Sequence, residues 1–263
     1  MKKSFDQPGA GGWAGPIGAT LQACSPRQRR RLRIVQVNLV LLSLMQDLQQ
    51  HRGLSGAVLD RQDAFRDERI AVAAKLQRSL IAIGDQYGDR HAVFRSDEWQ
   101  ALLVRWQALS ANWHDLDFAT NLTAHRELVL SVVAIVQTLA LQHMNCLGER
   151  RTRIATEWTP LVEHLGMLRA LGLHRLGTRP DIDDDRLPGV FRHHLHELRS
   201  VLASVAAEVG DELPLMDRSA RLVEVIVALR DGTSRQTPAS YLQLTTRHID
   251  DWYAAIRRGL HGD

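Results

Sequence analysis

Nowhere in this chain do apolar and polar residues alternate for long enough to build a strand; where apolar residues recur, they recur at steps of three and four. That period belongs to helices with one face against a core. Val37, Leu41, Leu44 and Leu48 form one such stripe, and Ile70, Ala73, Leu76, Leu80 and Ile83 form another. Local preference runs the same way, since only 8 of 263 residues are proline and Leu, Ala, Arg, Glu and Gln abound. The expectation is an all-α protein of two stacked antiparallel helical bundles with no sheet.

Breakers divide the chain. Residues 1–24, with Pro8-Gly9-Ala10-Gly11-Gly12, read as a flexible leader without the apolar run of a secretory signal. Ser25-Pro26 opens a helix, Ser as cap and Pro in the first turn, expected to reach about His51, where Gly53 weakens it. Further helices are expected over Asp63–Tyr87, Asp97–Trp113 and Asn121–Cys146, then one ending near Gly177 and one starting near Pro188. The last two span Arg218–Arg230 and Thr237-Pro238 to Arg258, which makes 25–258 the domain and 259–263 a tail. Leu128 to Gly148 holds no Asp, Glu, Lys or Arg and approaches the length of a membrane span. Ser131, Gln137, Thr138, Gln142, His143 and Asn145 interrupt it, so a central buried bundle helix is the better reading and no membrane partner is expected.

Charge and side-chain chemistry narrow the function. With 33 basic against 30 acidic residues, the chain lacks the excess of a dedicated nucleic-acid binder. Its one dense basic run, Arg27, Arg29, Arg30, Arg31 and Arg33, is either a solvated entry turn or a contact for RNA or an acidic partner. Cys24 and Cys146 stand far apart and make no disulfide framework, which points to the cytoplasm. No phosphate loop, nucleophile elbow or zinc helix is present, so no catalysis is expected. His193, His196 and Glu197 have helical metal-ligand spacing, but without a further ligand they read as a solvated face, and Asp183-Asp184-Asp185 reads as an acidic loop. Neither a metal nor a cofactor is expected.

Three arginines stand in apolar settings. Arg52 lies in Leu48-Gln-Gln-His-Arg-Gly-Leu-Ser55, Arg169 in Leu165-Gly-Met-Leu-Arg-Ala-Leu-Gly172, and Arg230 ends Leu222-Val-Glu-Val-Ile-Val-Ala-Leu-Arg. The first two segments align, each Arg followed by a small residue, about half the chain apart. Alone, such an arginine snorkels to solvent or pairs with a carboxylate, here Glu163 or Glu224. Convergent arginines without carboxylates would instead repel one another until an anion joins them, and a planar fork of donors suits a small planar oxyanion.

Gln49-Gln50-His51-Arg52-Gly53-Leu54-Ser55 resembles the signature of the nitrate- and nitrite-sensing (NIT) domain, Gln-x-[acidic or basic]-Arg-Gly-Leu-Ser. Leu165-Gly-Met-Leu-Arg-Ala170 resembles that family's second arginine motif, and Tyr241-Leu-Gln-Leu-Thr-Thr-Arg-His-Ile-Asp250 is similar to its terminal helix. The resemblance covers about residues 28–258. It implies paired helical bundles binding nitrate or nitrite between them, with Arg52 and Arg169 as ligands. Arg230 joins as a third anion ligand by its spacing and apolar helix, and His51, standing where the family more often has Glu or Arg, is the fourth candidate. Family sensors are usually fused to an RNA-binding antiterminator, a kinase or a chemoreceptor. No such module is evident, so a separate effector is expected, and a homodimer. Two alternatives stand beside the sensor: a helical scaffold or adaptor binding a protein partner without a small ligand, and an RNA-binding regulator using Arg27–Arg33.

Overall fold

The computed structural model describes residues 25–177, 187–206 and 213–262, and all regular structure among them is helical. Helix α1 spans Pro26–Leu59, opened by a capping box: Ser25 Oγ accepts from the Gln28 amide and Gln28 Oε1 from the Ser25 amide. It does not stop near His51. Gly53 costs a helix interior about 1 kcal/mol, less than the burial of Leu54, Ala57 and Val58 on the extra turns returns.

The first half continues as α2 (Arg66–Tyr87), α3 (Asp97–Asn112) and α4 (Phe118–Gln142). The buried face of α2 is Val72, Leu76, Leu80, Ile83 and Tyr87, and Ile70 is exposed. The residues Ile70 and Ala73 therefore do not lead the stripe; Val72 does, at the same helical spacing. Short turns α5 (Met144–Leu147) and α6 (Glu149–Arg153) lead through one π turn, Ile154–Trp158, into α7 (Thr159–Gly177). Then come α8 (Leu187–Ala206), α9 (Leu213–Arg230) and α10 (Pro238–His261). Thr237 caps α10, whose last turn buries Gly259 and Leu260 before Gly262 ends it with φ 85°. Residues 259–261 are thus helix and not tail. The Asp181–Asp185 loop lies outside the described residues.

Two groups of helices result. The first packs α1 against α2 and α4, with α3 on α4; the second packs α7 against α8 and α10, with α9 against α8 and α10. Helix α1 also packs along α7 and touches α10, so it is the seam between the halves. Helix α4 is long and apolar enough to cross a membrane by length and composition, and half of its most apolar window is buried here. Leu128, Val129, Val132, Val136 and Ala140 put that face into the core.

Candidate functional site

The seam brings Arg52 of α1 and Arg169 of α7 together, both buried. Small residues make the approach possible, and they do so reciprocally. A Cβ on Gly166 would come within 2.7 Å of Arg52 Nη2 and 3.0 Å of the Gln49 amide. A Cβ on Gly53 would lie 3.9 Å from Arg169 Nε. Each guanidinium therefore lies over the other helix's glycine.

Their partners differ. Arg52 donates to Glu163 through Nη1 at 2.6 Å and Nη2 at 3.2 Å, a two-pronged ion pair with side chains 0% and 3% exposed. Gln49 Nε2 donates to the same carboxylate at 2.9 Å and to the Val162 carbonyl at 3.2 Å, and Tyr253 OH donates to Gln49 Oε1 at 3.1 Å. Among the described residues Arg169 reaches only neutral acceptors, the Gln49 carbonyl at 2.9 Å and Thr246 Oγ1 at 3.3 Å. Among the described residues the Nε–H groups of both arginines are buried without an acceptor. Burial first, and then the charge of Arg52, pulls the Arg169 pKa down to about 10. The phenols of Tyr241 and Tyr253 are pushed up by burial and stay neutral. Asp250 attracts Arg169, but it is exposed and accepts from Gln46 Nε2 at 2.8 Å. The buried junction therefore holds two cations and one carboxylate.

The other two expected ligands stand elsewhere. Successive helical residues point about 100° apart, so His51 faces away from Arg169, into the first bundle. It meets His125 at 2.8 Å, Arg69 Nη1 at 3.3 Å and the edge of Trp106. Burial, and then His125 and Arg69, hold His51 down to about 2, and burial, and then Arg52 and Arg69, hold His125 to about 3, so both rings are neutral. Arg230 does not join the cluster: it is at the exposed end of α9, locked to Asp231 at 2.7 and 3.0 Å. The adjacent acid satisfies it locally.

Helix α10, whose Tyr241–Asp250 segment the resemblance singled out without naming a ligand, supplies the third wall of the junction. Thr246, Asp250, Tyr253 and Arg257, spaced by four, three and four, share the face toward the seam, and Arg257 Nη2 donates to Gln46 Oε1 at 2.7 Å. Tyr241 OH donates to the Leu168 carbonyl at 2.8 Å, its ring against Gly172. His193 and Glu197 approach to 4.0 Å on an exposed face, and among the described residues no group of side chains is arranged to hold a metal ion. No family model, curated protein or solved structure matches this chain.

Proposed function

We propose that this chain is a non-enzymatic sensor of a small planar oxyanion, nitrate or nitrite, held between Arg52 and Arg169. One observation carries the reading: a buried guanidinium, Arg169, whose hydrogen-bond acceptors among the described residues are all neutral, beside a second whose charge one carboxylate already neutralises. Leaving a buried charge uncompensated costs several kcal/mol. A monoanion restores neutrality at this junction, and a dianion overshoots. A planar oxyanion also offers acceptors to the two unmatched Nε–H donors. The resemblance to nitrate- and nitrite-sensing domains points to the same two arginines.

Binding at this point acts on three helices. Arg52 belongs to α1, Arg169 to α7, and the weakest present contact of Arg169 is with Thr246 on α10. An anion that takes over that contact favours whichever arrangement of α1, α7 and α10 holds it best. The output passes to a separate effector, with a homodimer as the signalling unit.

The Arg52–Glu163 pair favours a second reading, a constitutive helical scaffold for a protein partner, because that pair is complete without a ligand. Titration calorimetry separates the two. Sodium nitrate or nitrite should give saturable one-to-one heat with sodium chloride as the blank. No heat and no thermal shift at millimolar anion would leave only the scaffold.

A further inference from the structure

The end of the molecule away from that junction holds a second concentration of positive charge. On the first turns of α1, Arg27 reaches the Asn145 carbonyl, Arg30 lies 3.5 Å from His143, and Arg31 lies near Arg150 and Arg151 of the α4–α7 connection. A partly open cavity of about 450 Å³ is lined by three of these arginines, Arg27, Arg31 and Arg151, with Ser25, Gln28 and Gly148 among the other lining residues. Arg27 Nη2 closes one wall on the Asn145 carbonyl at 2.8 Å, and Arg151 is braced by the carbonyls of Leu260 at 2.8 Å and His261 at 3.2 Å. Among the described residues none of these three arginines is in an ion pair. The preceding residues 1–24 bring one acid, Asp6, against Lys2 and Lys3.

The concentration is costly where it stands. The first turn of α1 has no acidic residue, so the arginines add to the positive end of the helix dipole. Mutual repulsion shows at the neighbours as well: burial and then Arg31 and Arg150 lower Arg151, and burial and then Arg30 lower His143.

We infer that this cavity binds a compact phosphorylated anion carrying two or more negative charges, with Arg27, Arg31 and Arg151 as its ligands. Its volume lies within the roughly 300–1,000 Å³ of small-molecule sites. Three guanidiniums need more than one negative charge to balance them, and their forks match phosphate oxygens. Among the described residues no aromatic side chain lines the cavity to stack a base, so single-stranded nucleic acid is the poorer fit. The site is independent of Arg52 and Arg169.

Titration of inorganic pyrophosphate into the full chain tests the inference. One saturable site is expected, weakening with added salt. Arg31→Gln and Arg27→Gln should each lower the affinity by about tenfold or more, with helical content unchanged, and Arg169→Met should bind pyrophosphate as the wild type does. Adenosine triphosphate is expected to bind no more tightly than inorganic triphosphate. Absence of saturable heat at millimolar pyrophosphate, or equal affinity in both well-folded arginine variants, would overturn it. So would saturable binding of a single-stranded RNA oligomer without any response to pyrophosphate.

Discussion

Replacing Glu163 by Gln separates the stability of the junction from its affinity for anions. The carboxylate is 3% exposed and accepts from Arg52 Nη1, Arg52 Nη2 and Gln49 Nε2. An amide keeps one acceptor and turns the other position into a donor facing donors. Removing one partner of a buried ion pair costs about 3–5 kcal/mol, so the variant should stay folded within a total of roughly 5–15 kcal/mol. At about 2–4 °C per kcal/mol the midpoint of thermal unfolding should fall by some 6–20 °C. The junction meanwhile goes from one excess positive charge to two. Unit charges 4 Å apart near a protein surface interact by about 4 kcal/mol; a third of that already gives about tenfold tighter nitrate binding. Scanning fluorimetry with and without nitrate should therefore show a lower starting midpoint and a larger upward shift than in the wild type. A destabilised variant whose nitrate response is unchanged or lost would refute the reasoning, because Glu163 would then not compete with the anion for Arg52.

Three further outcomes follow from the geometry. Gly166→Ala drives a methyl to 2.7 Å from Arg52 Nη2, so it should cost about 1–3 kcal/mol of overpacking and abolish the nitrate-induced midpoint shift together. His51 and His125 stay neutral in the fold, at about 2 and 3, against 6.5 when unfolded. Below pH 6.5 only the unfolded chain takes up those protons, so stability is complete above that pH and is lost as pH falls; at about pH 4.5 the two should remove about 5 kcal/mol, read from urea midpoints. Arg230→Ala should leave stability within about 0.5 kcal/mol and the nitrate titration unchanged, since its partner is the exposed Asp231.

What could be read beforehand was what local spacing determines. The helical class and the Ser25 and Thr237 caps lie in short stretches of sequence. The small residues of the Arg52 and Arg169 segments carried more than expected: Gly53 and Gly166 are the points over which the two guanidiniums lie. Errors came where two local readings fit equally. Ile70 and Val72 both begin a plausible apolar stripe on α2, and only packing against α1 selects Val72. His51 adjoins a ligand candidate in sequence and points elsewhere in space. For Arg230 the signal was present, an acid at the very next position. Tyr253, Thr246 and Arg257 lie on one face by spacing, but which helix that face meets is a tertiary fact no local pattern carries.

The most direct measurement is the anion-dependent stability of Arg169→Met. Desolvation first, and then Arg52, lower the Arg169 pKa to about 10, a penalty of roughly 3 kcal/mol at about 1.4 kcal/mol per unit. That is comparable to what its two hydrogen bonds to neutral acceptors return. Without nitrate the variant should accordingly melt within a few degrees of the wild type or above it. Nitrate at a hundred times its dissociation constant should raise the wild type by about 2.7 kcal/mol, some 5–10 °C, and leave the variant unmoved. A variant melting far below the wild type in the absence of anion, beside a wild type indifferent to nitrate, would make Arg169 a structural tie and contradict the account.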